Sequence, residues 1–168
     1  MYSASNKNSK LFVHLPIVEL SENEDMLFCV ITGYTSPVGA IGVYTESGGS
    51  WSQTQLIRNP FASSDSNFNT IRVSSDNSTL LLGDASSNYN GTDNGVVFVY
   101  SNVSGTWTYT NETLDSPYSG VTRPAFSGLA INNDGTRAFV GAAAYSSSLG
   151  TVSVYDYNGS AWSFSHSI

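Results

Sequence analysis

The sequence predicts an all-β chain built as three four-stranded antiparallel blades of a β-propeller. Two kinds of repetition and one absence carry that prediction. Trp51, Trp107 and Trp162 lie 56 and 55 residues apart, and Tyr44, Tyr100 and Tyr155 keep the same steps, as do Gly39, Gly95 and Gly150. Around them the text nearly repeats: GAIGVY at Gly39–Tyr44, GVVFVY at Gly95–Tyr100 and GTVSVY at Gly150–Tyr155. A second block recurs as FNTIRVSSDNSTLLLG at Phe68–Gly83 and FSGLAINNDGTRAFVG at Phe126–Gly141, with a more diverged copy at Leu15–Val30. No window shows an amphipathic helical period, and strong helix formers are sparse. A fixed period of this length marks one supersecondary unit stacked on its neighbours, and four short strands per unit is the propeller arrangement.

Within each repeat the strands can be taken in order. The first is expected at Val18–Ser21, Thr70–Ser74 and Leu129–Asn132, and the second at Met26–Thr32, Thr79–Asp84 and Arg137–Ala142. Both are rich in β-branched and apolar residues and bounded by Asn, Asp, Ser and Gly. The third is the Gly-x-x-x-Val-Tyr segment, and the fourth starts at the Trp. Asn77-Ser78 and Asp134-Gly135 between first and second strands read as tight hairpin turns. So do Gly48-Gly49, Ser104-Gly105 and Asn158-Gly159 between third and fourth, since Asn, Asp and Gly accept positive φ. The remaining links are longer. The expected division is a polar arm at 1–10 and blades at 11–57, 58–113 and 114–168. Along the third strand, Val43 and Val99 point to one face and Tyr44 and Tyr100 to the other. Both faces are apolar, as a blade sandwiched between two others requires.

Composition narrows the function. In 168 residues, 11% are charged, about half the usual share, while 29 Ser, 14 Thr and 15 Asn supply the polar surface. Thirteen acids against six bases leave a net charge of −7, which argues against nucleic acid or an anionic membrane as partner. No apolar run approaches the ~18 residues of a spanning helix, so membrane insertion is not expected. Cys29 is alone, so an intrachain disulfide or a Cys-cluster metal site has no second thiol, and its apolar neighbours suggest a buried, inert side chain. Low charge with heavy Ser, Thr and Asn usage leans towards an extracellular or cell-surface setting.

GAIGVYTESGGSW, SSDNSTLLLGD and NNDGTRAFVGA resemble the FG-GAP repeats of integrin α-chain propellers, over roughly residues 15–168. The match is in strand order, turn positions and the glycine after the second strand. Phe68-Asn69 and Phe126-Ser127 stand where that family has Phe-Gly, and Gly83-Asp84-Ala85 and Gly141-Ala142-Ala143 where it has Gly-Ala-Pro. The calcium loop of some such repeats has no counterpart. Asp76-Asn77-Ser78 and Asn132-Asn133-Asp134-Gly135 supply too few carboxylates for an oxygen cage. No metal and no cofactor is therefore expected. The resemblance implies a secreted adhesive protein.

Propellers close with about four to eight blades, and three fall short. An open arc would leave two apolar faces in water, each of ~400–500 Å², worth at most ~10 kcal/mol at about 25 cal/mol per Å². Something should cover them: a second copy completing a six-bladed ring, copies stacked into a filament, or further blades of a longer chain. The arm MYSASNKNSK at Met1–Lys10 is a candidate strap onto a neighbour's strand edge.

Candidate chemistry is thin. His14 and His166 stand at opposite ends without a second ligand at metal spacing, and no Gly-x-Ser-x-Gly elbow occurs. Single acids such as Asp84, Asp93 and Asp115 are spread among loops, and the expectation is no enzyme. For binding, Tyr34, Tyr89 and Tyr145 recur 55 and 56 apart in the loops after the second strand, and Phe61 and Tyr118 sit in the loops after the fourth. Exposed aromatics amid amides and hydroxyls suit sugar rings, although the same rings could pack beneath their own loops. Trp51, Trp107, Trp162, Tyr44, Tyr100 and Tyr155 read as structural residues of the repeat. Asn77, Asn90, Asn102, Asn111 and Asn158 each begin an Asn-x-Ser/Thr acceptor for N-glycans. The expected function is a non-enzymatic, self-assembling structural and adhesive module with copies of itself as partners. The alternative is a lectin that binds glycans on the Tyr-bearing loop face.

Overall fold

The computed structural model describes residues 17–31, 39–61, 68–89, 95–115, 117, 126–143 and 150–168, with the main chain alone at 126 and 127. Among them are twelve strands in three antiparallel sheets and no helix. The first sheet holds β1 (Val18–Leu20), β2 (Met26–Ile31), β3 (Ala40–Ser47) and β4 (Ser50–Arg58), hydrogen-bonded in that order. The second holds β5 (Thr70–Val73), β6 (Thr79–Asp84), β7 (Val96–Val103) and β8 (Thr106–Leu114), and the third β9 (Phe126–Ile131), β10 (Arg137–Ala142), β11 (Thr151–Tyr157) and β12 (Trp162–Ser167), with the same topology. The first strand β5 touches β1 on one side and β9 on the other, while β4 touches β8 and β8 touches β12 at the periphery. The sheets therefore fan out from β1, β5 and β9. This is a partial propeller.

Turn chemistry fixes the hairpins. Asn77 adopts φ 56°, Ser104 φ 52°, Gly48 φ 60°, Gly105 φ 84°, Gly135 φ 68° and Gly159 φ 94°, all at the turns expected from sequence. Side chains reinforce these turns. The Asn102 carbonyl oxygen accepts from the Gly105 N–H at 2.8 Å, and Asn132 Oδ1 accepts from Arg137 and Thr136 N–H at 2.7 and 2.8 Å. Short polar side chains bonding to nearby main chain are what stop a strand and reverse it.

Alternation along the strands splits the core into two seams. Phe28, Val30, Ile41, Val43 and Ile57 of the first blade meet Ile71, Leu80, Leu82, Phe98, Tyr100 and Trp107 of the second. Leu81, Val97, Val99 and Leu114, on the other face of the second blade, meet Leu129, Ala138, Val140 and Tyr155 of the third. The central blade is thus buried on both faces, which explains the unbroken apolar runs TLLLG and VVFVY. Cys29 lies on the face of the first blade turned away from the second and is half-buried rather than buried, because among the described residues no blade packs there. The 1–10 segment lies outside the described residues.

Candidate functional site

In a fan of blades the first strands lie nearest the axis, so charge placed on them is charge placed at the axis. The register makes Glu19, Arg72 and Ala130 equivalent, each one position along its first strand opposite Phe28, Leu81 and Phe139. Glu19 and Arg72 are the charged residues of β1, β5 and β9. They join across the seam: the Arg72 guanidinium donates to Glu19 Oε2 at 3.0 Å and to the Ile71 carbonyl at 2.7 Å. Burial pushes the Glu19 carboxyl above its ordinary value, against the opposing pull of Arg72 and of a hydrogen bond from the Val73 main chain. The Arg72 side chain keeps 41% of its surface accessible. A partly desolvated carboxylate beside a reachable guanidinium can accept a proton and stabilise a developing oxyanion within one small volume.

A second cluster sits where the longer loops leave the same seam. Asp84 is fully buried at the end of β6; its Oδ2 accepts from Asn59 Nδ2 at 2.9 Å, and its Oδ1 from the Ser86 N–H at 3.1 Å. Asn59 Oδ1 accepts in turn from the Phe61 N–H at 2.9 Å. That chain of bonds holds the Phe61 ring 4.2 Å from Tyr89 and stacked at 5.9 Å on Phe98, making an aromatic shelf with Phe61 39% and Tyr89 37% exposed. Between the second and third blades runs a cleft of about 310 Å³ with Glu112, Asp134, Tyr157 and Trp162 among its walls. The Thr136 hydroxyl, bonded to Asp134 at 2.6 Å, holds that carboxyl below its usual range.

The sequence-derived residues divide accordingly. Phe61 and Tyr89 come together on the shelf, whereas Tyr34, Tyr145 and Tyr118 lie outside the described residues. Trp107 is buried against Phe28 at 5.5 Å, Trp162 packs on the second seam, and Trp51 is 45% exposed. Tyr100 and Tyr155 are buried and Tyr44 is half-buried. Asn111 and Asn158 are exposed and Asn102 half-buried, while the Asn77 amide donates to Asn23 Oδ1 at 3.1 Å; Asn90 lies outside the described residues. Sequence reasoning passed over Glu19 and Arg72. The signal was available: aligned on the repeat, both fill one position of the first strand, where the third copy has Ala130.

No family model and no curated protein matches the chain. Solved structures do. A candidate 6-phosphogluconolactonase from Bacteroides uniformis aligns with a TM-score of 0.64 and 16% identity over 91% of this chain. A protein from Lactobacillus plantarum gives 0.56 and 18% over 90%, and the periplasmic gluconolactonase of Pseudomonas aeruginosa gives 0.54 and 17% over 89%. The chain spans 40%, 41% and 40% of those three structures. These likenesses support the propeller fold and correct four sequence expectations. Two of these three propeller-type neighbours carry lactonase names and none is an integrin-type repeat protein, so the FG-GAP resemblance does not hold. What it rested on (strand order, tight turns and a glycine near the end of the second strand, Gly83 in β6 and Gly141 in β10) is what a four-stranded blade uses for its hairpins and close packing. The names of the Bacteroides uniformis and Pseudomonas aeruginosa structures are those of enzymes, so the expectation of a non-enzymatic structural, adhesive or filament-forming module gives way, as does the lectin alternative. Charges on separate blades pair only in three dimensions, so the reading of the sequence contained no Glu19–Arg72 pair.

Proposed function

We propose that the chain contributes blades of a propeller hydrolase that opens a cyclic sugar ester, with Glu19 and Arg72 at its reacting centre. The observation that carries this reading is the 3.0 Å pair joining two first strands at the axis. The names of the lactonase propellers supply the substrate class. Arg72 would donate to the lactone carbonyl oxygen and stabilise the negative charge that grows there. Glu19 would take a proton from the attacking water. As the tetrahedral intermediate collapses, the ring C–O bond breaks and that proton passes to the leaving alkoxide, giving the open hydroxy acid. Glu19 must be ionised to act as the base, and burial moves its titration upward, so the acid limb of kcat/KM lies above the ordinary carboxylate value of about 4.3. The periplasmic neighbour favours a setting outside the cytoplasm for this chain as well.

The test is the hydrolysis of glucono-δ-lactone and of its 6-phosphate by the purified chain, corrected for spontaneous opening. Glu19→Gln should lower kcat/KM by about 10²–10⁴-fold and abolish the acid limb. Arg72→Gln should lower it by about 10²–10³-fold. Turnover no faster than the spontaneous rate, or full activity in both variants with an unchanged circular dichroism spectrum, refutes the assignment.

A further inference from the structure

We infer that the cleft between the second and third blades binds a primary alkylammonium ion, held by the Glu112 carboxylate against the rings of Trp162 and Tyr157. The two seams inside the chain are copies of one joint, so they can be compared position by position. The register makes Met26 and Phe28 equivalent to Thr79 and Leu81, and Gln55 equivalent to Glu112. It likewise makes Trp107 equivalent to Trp162 and Asn102 equivalent to Tyr157.

In the first seam the space beside the Trp is filled. Phe28 meets Trp107 edge-on at 5.5 Å, Met26 packs on the same cluster, and Trp107 is buried. In the second seam the shorter side chains of Thr79 and Leu81 stand in those two places. There the cleft of about 310 Å³ opens, with Thr79 and Trp162 among its walls, and Trp162 is left half-buried. That volume lies at the lower end of the ~300–1,000 Å³ of small-molecule sites.

The polar change at the same joint is from donor to acceptor. Gln55 donates to the Trp107 carbonyl at 2.7 Å and accepts from its N–H at 2.9 Å. Glu112 accepts from the Trp162 N–H at 2.9 Å through Oε1, and its second oxygen replaces the amide nitrogen with no proton to give. Among the described residues no hydrogen bond reaches Glu112 Oε2. An ammonium N–H supplies the missing donor together with a compensating charge. Asp134 adds a second carboxylate, held ionised by the Thr136 hydroxyl, and no Lys, Arg or His is among the described walls. Tyr157 and Trp162 oppose each other on β11 and β12 with ring centroids 5.5 Å apart. Their faces attract a cation and cover its alkyl stem.

Isothermal titration calorimetry of the 168-residue chain with 1,5-diaminopentane, and with 1,5-pentanediol as the uncharged control, tests this assignment. No lactone is present and neither Glu19 nor Arg72 lines the cleft, so the outcome is separable from that of the hydrolytic reading. The diamine should bind saturably and the diol should not. Glu112→Gln installs the side chain that the first seam already carries, so the β-sheet spectrum should be kept while binding weakens about tenfold or more. Trp162→Leu should weaken it by about 2- to 30-fold, the cation–π range. Thr79→Met refills the cleft as Met26 fills its counterpart, and should abolish binding. No saturable heat with the wild-type chain, equal binding of the diol, or undiminished binding by folded Glu112→Gln or Thr79→Met overturns it.

Discussion

The side-chain amide of Gln55 grips the main chain of Trp107 on the neighbouring blade with two bonds at once. Nε2 donates to the Trp107 carbonyl at 2.7 Å and Oε1 accepts from its N–H at 2.9 Å. A strand edge at the rim of a blade leaves just such a main-chain pair unmet, and a side-chain amide matches both groups. At the equivalent place Glu112 makes the acceptor half alone, to Trp162. Gln55→Ala should therefore cost about 1–3 kcal/mol, the range for leaving buried polar groups unsatisfied, in urea unfolding. Glu112→Gln should restore the donor half and stabilise by about 0.5–1.5 kcal/mol.

Tyr100 links the first seam to alkaline stability. Burial, then the neighbouring Tyr109, raise the Tyr100 phenol well above its ordinary value, and Tyr109 is itself pushed up to about 12, chiefly by burial. A phenol with a raised folded pKa contributes stability that is whole below the unfolded value, about 10, and is lost as pH climbs beyond it. Wild type should lose stability above about pH 10, and Tyr100→Phe should flatten that decline while giving up the bond to Arg58. Urea midpoints measured across alkaline pH decide it; parallel curves would contradict the expectation.

Two turn glycines separate backbone strain from crowding. Gly49 has φ 81° with open space, nothing within 4 Å, where a methyl group would stand. Gly135 has φ 68°, and a Cβ there would meet Thr79 Oγ1 at 2.5 Å and Ser78 Oγ at 2.8 Å on the second blade. Gly49→Ala should cost about 1 kcal/mol, the left-handed backbone penalty alone. Gly135→Ala carries the same penalty plus a clash between blades, and should lower the thermal midpoint clearly further.

Asn59 ties the shelf to the core. Asn59→Ala removes the bond to Asp84 Oδ2 and the acceptor for the Phe61 N–H, so about 1–3 kcal/mol should be lost. The same change should free the Phe61 and Tyr89 rings, which near-ultraviolet circular dichroism would register as a loss of aromatic signal. An unaltered aromatic spectrum would show that the ring cluster holds without this bond.

Much of the fold was readable because a blade is a local object. The second strands Thr79–Asp84 and Arg137–Ala142 fall where the β-rich runs between turn residues put them, and the first strand of the second repeat ends at Val73, one residue short of expectation. The turns at Asn77, Ser104 and Gly159 follow from which residues accept positive φ. The third repeat was less legible. Its first strand begins at Phe126 rather than Leu129, because a shift in register between Gly141 and Ala142 lets β9 pair further along β10. The candidate site was the least legible part. Glu19 and Arg72 are 53 residues apart, and nothing local in either strand marks the other as its partner.

The period of the Trp and Tyr residues, the turn chemistry and the two-faced apolar strands determined by themselves that this chain is a row of four-stranded blades, since each depends only on neighbours within one repeat. Which position of each blade meets the axis, which side chains cross a seam, and that a carboxylate and a guanidinium become one charged unit were decided by tertiary structure. Stacking brings together residues whose separation along the chain is a whole repeat, and Coulomb attraction and hydrogen bonding act on distance in space, not on distance in sequence.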